Sequence, residues 1–177
     1  MHALYGVRMI EIRPETSADW PAIHDVNTRA FGRESEARLV DTIRASDSFL
    51  PELSLVAVEA ACIVGHVLFS GIGIRTAERL LPALALAPMA VLPGRQNQGI
   101  GSALIRRGLE ECRRHGHHIV VVVGHRNYYP RFGFSSARAK GLEAPFPDAV
   151  FMVQELTPGA LDGVRGTVEY PPAFAAA

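Results

Sequence analysis

The sequence predicts a single-domain mixed α/β fold, and three observations carry that prediction. Short period-two and Val/Ile/Leu-rich segments are interleaved with segments of helical periodicity. Two helical segments follow each other directly after the first strand, which argues against simple βαβ alternation. The length of 177 residues suits one domain with its own core, and no internal repeat or linker divides it.

The elements follow in order. Ile10 and Ile12 alternate with polar neighbours, so residues 9–13 read as a strand that Pro14 ends. Thr16-Ser17-Ala18-Asp19 resembles a helix start with an acid in the first turn. Trp20, Ile23 and Val26 continue at helical spacing to about Phe31, and Gly32 breaks the pattern. Glu34 to Ala45 is a second helix with Leu39, Val40 and Ile43 on one face. Leu53 to Glu59 and Cys62 to Ile74 read as antiparallel strands joined by a tight turn near Ala60-Ala61. Leu84 to Val91 is a strand interrupted by Pro88, whose missing N–H predicts an edge or a bulge. Ile100 to His115 is the strongest helix, with one stripe through Ile100, Leu104, Ile105, Leu109 and Cys112 and a capping glycine at Gly116. Ile119 to Val123 reads as a buried strand, Asn127 to Phe132 as a short helix or turn, and Ala149 to Leu156 as a last strand. From Thr157 on, a Pro-, Gly- and Ala-rich stretch reads as a loose tail. The domain is therefore expected over 9–157, with a tail over 158–177 and an N-terminal extension over 1–8. Met9 is an alternative start.

Composition narrows the function. Apolar residues make up 48% and charged residues 20%, a globular balance. Lys+Arg and Asp+Glu both number 18, which argues against non-specific nucleic-acid binding. No apolar run reaches the ~18–20 residues that span a bilayer, and residues 1–8 lack the pattern of a signal peptide. Cys62 and Cys112 have no partner spacing and fit a reducing compartment, so a cytoplasmic location is expected with no membrane or nucleic-acid partner. His115-Gly116-His117-His118 has no nearby Cys or carboxylate to complete a ligand set, and no metal is expected.

The chemistry concentrates in residues 84–104, LALAPMAVLPGRQNQGIGSAL. A strand runs into a glycine-rich turn and then an amphipathic helix. The first backbone N–H groups of a helix lack partners and sit at the positive end of its dipole, which makes an anion site. Gly99 and Gly101 let a phosphate approach the backbone. A dinucleotide motif needs a third glycine where Leu104 stands, and a P-loop needs Lys-Ser/Thr where Ser102-Ala103 stands. A glycine turn capping a core helix accounts for Gly99-x-Gly101 equally well.

Two blocks together go further. Gln96-x-x-Gly99-x-Gly101 after Met89-Ala90-Val91 resembles the acetyl-CoA motif of the GNAT superfamily of N-acetyltransferases. Tyr128-Tyr129-Pro130-Arg131-Phe132-Gly133-Phe134 resembles that superfamily's Y-x-x-x-GF block. A bacterial acetyltransferase subfamily also shares a G-T-V-x-Y-P-x-A-F ending, here Gly166 to Phe174. The resemblance covers nearly all of residues 9–174. It implies a mixed, mostly antiparallel central sheet flanked by helices and splayed at an acetyl-CoA cleft.

By that resemblance the chain transfers an acetyl group from acetyl-CoA directly to a primary amine of a small molecule or peptide, as a monomer or homodimer. The backbones of Met89, Ala90 and Val91 would hold the pantetheine arm, with the Val91 N–H polarising the thioester carbonyl. Gln96, Asn97, Gln98, Gly99, Ile100, Gly101 and Ser102 would hold the pyrophosphate, and Asn127 would contact the cofactor near its sulfur. Arg95 and Arg106 are solvated or add charge there. Tyr129, four residues before Gly133, would protonate the leaving thiolate, with Tyr128 as the neighbouring alternative. Glu34 and Glu36 would accept the amine proton, or serve only the helix dipole; some members use no dedicated base. His125 lines the cleft or is an ordinary surface histidine, and His66 is a satisfied core or surface residue. A non-catalytic acyl-CoA sensor and a purely structural domain are the competing functions.

Overall fold

The computed structural model describes residues 9–176, so the extension expected over residues 1–8 and the choice of start codon lie outside the described residues. Its strands are β1 (Glu11–Pro14), β2 (Ser54–Glu59), β3 (Cys62–Arg75), β4 (Leu80–Val91), β5 (Ile119–Val123), β6 (Ser135–Ser136), β7 (Leu142–Glu143), β8 (Phe151–Glu155) and β9 (Gly166–Glu169). Its helices are α1 (Trp20–Phe31), α2 (Ser35–Arg44) and α3 (Ile100–Arg114).

One sheet holds all of these described strands, in the order β1-β2-β3-β4-β5-β8-β6, with β9 against β3 and β7 against β9. Of these pairings, β4 with β5 and β7 with β9 are parallel and the rest antiparallel. The mixed, mostly antiparallel sheet is thus as expected.

Alternation along the strands sorts the core into two sides. Leu55, Val67, Leu84 and Val120 face α3 and pack with Ile100, Leu104, Ile105 and Leu109. On the other side Val56 and Leu68 meet Ile23, Val40 and Ile43 of α1 and α2. Further along that side Ile74, Ala85, Val121 and Val153 meet Leu142, Leu161 and Val168. Gly108 lets α3 close on the sheet: a Cβ there would lie 2.2 Å from the Phe69 ring. α3 ends in a Schellman cap, with Gly116 N–H on Arg113 and His117 N–H on Cys112.

Two expectations need correction. β4 begins at Leu80, not Leu84, and forms a long hairpin with β3 through the turn Thr76–Arg79; Pro82 disguises this half of the strand. The C-terminal segment is no loose tail. β9 pairs with β3 from Gly73↔Glu169 to Arg75↔Thr167, and Leu161, Val168 and Ala173 are buried. Its few apolar anchors are widely spaced, so a composition rich in Pro and Gly hides them.

Pro88 marks a bulge. Val67 faces Met89 and Phe69 faces Leu86, so Ala87 and Pro88 together oppose Leu68. The bulge flips the alternation: Leu84 and Leu86 before it, and Met89 and Val91 after it, all belong to the α3 side.

Candidate active site

The site begins with a fork in the sheet. β4 and β5 pair only at Leu84↔Val120 and Ala85↔Val121. β5 then follows β8 as far as Val123↔Phe151, while β4 stays with β3 to Val91↔Gly65. Beyond Ala85, the edge of β4 turned away from β3 has no strand beside it among the described residues. An open strand edge offers backbone N–H and C=O groups to a ligand.

A turn joins this edge to α3. Pro93–Arg95 forms a short 3-10 turn, and the Gln96 side-chain amide donates to the Val91 carbonyl at 3.1 Å. Asn97 has φ 60° and Gly99 has φ 85°, left-handed conformations that reverse the chain into the helix. α3 therefore starts with unpaired N–H groups facing the fork, and no acidic residue occupies its first turn. At Gly101 an added Cβ would lie 3.2 Å from the Met89 sulfur and 3.3 Å from the Tyr128 hydroxyl.

These parts enclose a cleft of about 760 Å³. Met89, Ala90, Val91, Gln96, Asn97 and Gly99 to Ser102 line it, as expected from the sequence. Gln98 does not: it binds Arg95 and the Gly94 carbonyl. Asn127 lines an adjoining cavity of about 550 Å³ that shares His125, Tyr128 and Arg131 with the cleft. Arg95 borders the cleft but is clamped to Glu59 of β2 through both terminal nitrogens. Arg106 lies over the Phe132 ring at 5.0 Å.

The two tyrosines separate sharply. Gly124 leaves room for the Tyr129 ring, which a Cβ there would meet at 2.3 Å. Tyr129 is 9% exposed and packs against Phe134. Burial pushes its phenol up to about 12. It does not line the cleft. Tyr128 does, and its hydroxyl lies 3.2 Å from the Ser102 hydroxyl. The tyrosine chosen by motif position is a core residue, and its neighbour presents the hydroxyl.

The expected bases are elsewhere. Glu34 precedes α2 and pairs with Arg38, and Glu36 pairs with Arg33, whose hydrogen bonds hold its carboxyl below the usual range. Neither lines the cleft, and among the described residues no carboxylate does. Sequence reasoning missed Ala30 and Phe31 at the end of α1, and Arg131. Phe31, an aromatic just before a helix-ending glycine, was the available signal.

Three further histidines are engaged locally. His66 is buried between Asn27 and Ser54. His115 bonds the Glu111 carbonyl and His118 bonds Thr157.

Comparison with known proteins agrees with this geometry. A family model described as acetyltransferase (GNAT) domain matches residues 11–137. The chain is 42% identical over 147 residues to the uncharacterised N-acetyltransferase YjhQ of Escherichia coli K12, covering 79% of this chain and 81% of that one. It is 35% identical to the N-acetyltransferase YhbS of the same organism over 162 residues, 90% of this chain and 95% of that one. Among solved structures, E. coli YhbS in complex with CoA superposes with a TM-score of 0.88 at 31% identity, over 98% of this chain and 96% of that one. A GNAT acetyltransferase from Brucella melitensis in complex with acetyl-CoA superposes with a TM-score of 0.77 at 34% identity, over 94% and 99%. The forked sheet, the glycine turn and this match over most of the chain lead to one conclusion: the protein belongs to the GNAT family of acetyltransferases.

Proposed function

We propose that this protein transfers an acetyl group from acetyl-CoA directly to a primary amine, both substrates being bound at once. One observation carries the reading: the open edge of β4, the unpaired start of α3 and the Tyr128 hydroxyl line one cleft. Two relatives of 31% and 34% identity were solved with CoA and acetyl-CoA, which supports the choice of donor.

The residues take distinct roles. The pantetheine arm lies along the backbone of Met89 to Val91 in place of the missing strand. The Val91 N–H faces the thioester carbonyl and stabilises the charge its oxygen gains. Backbone N–H groups of the 96–102 segment bind the pyrophosphate, assisted by the helix dipole. The amine nitrogen bonds to the acetyl carbon, the carbon–sulfur bond breaks, and Tyr128 gives its proton to the thiolate. His125, a residue of the cleft wall, takes the proton that the amine sheds. The catalytic unit extends beyond residue 157 to include β9 and the C-terminal turn, since both are packed into the fold.

The test follows free thiol while the protein is mixed with acetyl-CoA and a panel of amines. Amine-dependent thiol release, with a CoA-induced rise in Tm, is the expected result. Tight acetyl-CoA binding with no turnover on any amine would identify a sensor instead. No thermal shift with CoA would overturn the reading.

A further inference from the structure

A second chamber, of about 490 Å³, opens on the face of the sheet opposite α3. Ala85, Val121 and Val123 form its floor, and Phe146, Tyr170 and Phe174 its walls. It sits at the fork: Ala87 lines this chamber and Met89 lines the cleft, so Pro88 alone separates them along β4. The cleft itself reaches Ala30 and Phe31 at the end of α1, on the chamber's side of the sheet. The chamber and the cleft thus lie next to each other along β4, at the bulge beside the fork.

The lining is uniform in chemistry. Among the described residues every lining side chain is hydrocarbon except the Tyr170 phenol, and no carboxylate or cation contributes. Burial pushes that phenol up to about 12, so it stays neutral. Its ring lies 5.9 Å from Phe146, edge to face, and 5.1 Å from Phe174. Val123 is 41% exposed on the floor, an apolar surface open to a ligand. The volume falls within the ~300–1,000 Å³ of small-molecule sites.

Resting on the acetyl-transfer reading above, we propose that this chamber holds the body of the acceptor, a small primary amine carried on an aromatic or branched-alkyl group. A polyamine or aminosugar would lay charges or hydroxyls against hydrocarbon without partners, which is costly. An apolar body gains by leaving water. The same surroundings disfavour the ammonium form. They deliver the neutral amine without a carboxylate, in keeping with a cleft that has none among the described residues. The amine nitrogen then bonds to the acetyl carbon as the carbon–sulfur bond breaks. One amine proton leaves to His125 and the thiolate takes one from Tyr128.

Titration calorimetry on the CoA-saturated protein tests this, with phenethylamine, tryptamine and isoamylamine set against putrescine, spermidine and glucosamine. The first three are expected to bind about tenfold tighter or more than the second three. With acetyl-CoA they should show the same order in kcat/KM. Val123→Asp places a carboxylate on the chamber floor. It should weaken phenethylamine about tenfold and favour putrescine, with CoA affinity unchanged. Equal or tighter binding of the polar amines, or no binding of the apolar ones, overturns the acceptor assignment while CoA binding preserves the acetyl-transfer reading. Apolar amines that bind Val123→Asp as well as the parent overturn the location. Loss of CoA binding in the parent protein overturns the acetyl-transfer reading and this inference with it.

Discussion

The Tyr128 hydroxyl lies 3.2 Å from the Ser102 hydroxyl, which ties the turn after β5 to the first turn of α3. The two segments come from separate sequence blocks, and the contact fixes a phenol beside the helix start that would hold the pyrophosphate. Edge-to-face contacts with Tyr129 at 5.2 Å and Phe132 at 5.1 Å fix the ring. A proton donor so held needs little reorganisation to meet a leaving thiolate.

Tyr128→Phe should therefore lower kcat about 100-fold or more with the KM for acetyl-CoA nearly unchanged. Tyr129→Phe removes a hydroxyl from a buried ring that does not line the cleft, and should keep kcat within about threefold. Steady-state kinetics on a good amine substrate checks both. The reverse pattern would return the acid role to Tyr129.

Glu34→Gln and Glu36→Gln should each leave kcat/KM within about twofold, because neither carboxylate reaches the cleft. Each loses an ion pair to an exposed arginine, Arg38 and Arg33 respectively, and such surface pairs add little to stability. Urea unfolding should show only that small loss. A large fall in kcat with unchanged stability would place one of them in the reaction.

Sequence logic reached the bulge and the glycine turn because both rest on local rules. Pro88 disturbs a ladder wherever it sits in a strand, and Gly99 is needed wherever φ is positive. It is silent where neighbours decide. Tyr128 and Tyr129 are adjacent and chemically identical, and the room for the buried Tyr129 ring comes from Gly124, with Phe134 packed against it. Glu34 and Glu36 stand at the start of a helix, and in the fold they pair with Arg38 and Arg33 and do not line the cleft. β9 pairs with β3 across nearly a hundred residues, a contact no local pattern announces.

The turn between β2 and β3 shows a local rule broken. Ala60 and Ala61 have φ of 47° and 62°, in the left-handed region that two-residue hairpins require. An L-residue with a Cβ pays ~1–2 kcal/mol there. Ala61→Gly should raise stability by about 1 kcal/mol, the relief of strain being partly offset by the entropy glycine gains on unfolding. Denaturant unfolding checks it, and a rise in midpoint with an unchanged m-value is the expected form.

His66 makes stability depend on pH. It is fully buried on β3, and burial, with Arg44 nearby, drives its imidazole down to about 3. The Asn27 amide donates to Nδ1, so Nε2 carries the hydrogen that Ser54 Oγ accepts at 3.0 Å. A second ring proton would face that amide, donor against donor. In the unfolded chain the imidazole titrates near its ordinary value of about 6.5. Between that pH and about 3 the unfolded state binds a proton that the folded state refuses. Stability is therefore fully present above about pH 6.5 and falls as the pH drops below it. From pH 7 to pH 5 the loss from this one group is about 2 kcal/mol. His66→Gln does not titrate and retains an amide able to hydrogen-bond. It should be less stable than the parent at pH 7, yet lose about 2 kcal/mol less on going to pH 5. Urea unfolding of both proteins at the two pH values measures that difference directly, and equal pH dependence in the two would show that His66 is protonated in the folded state.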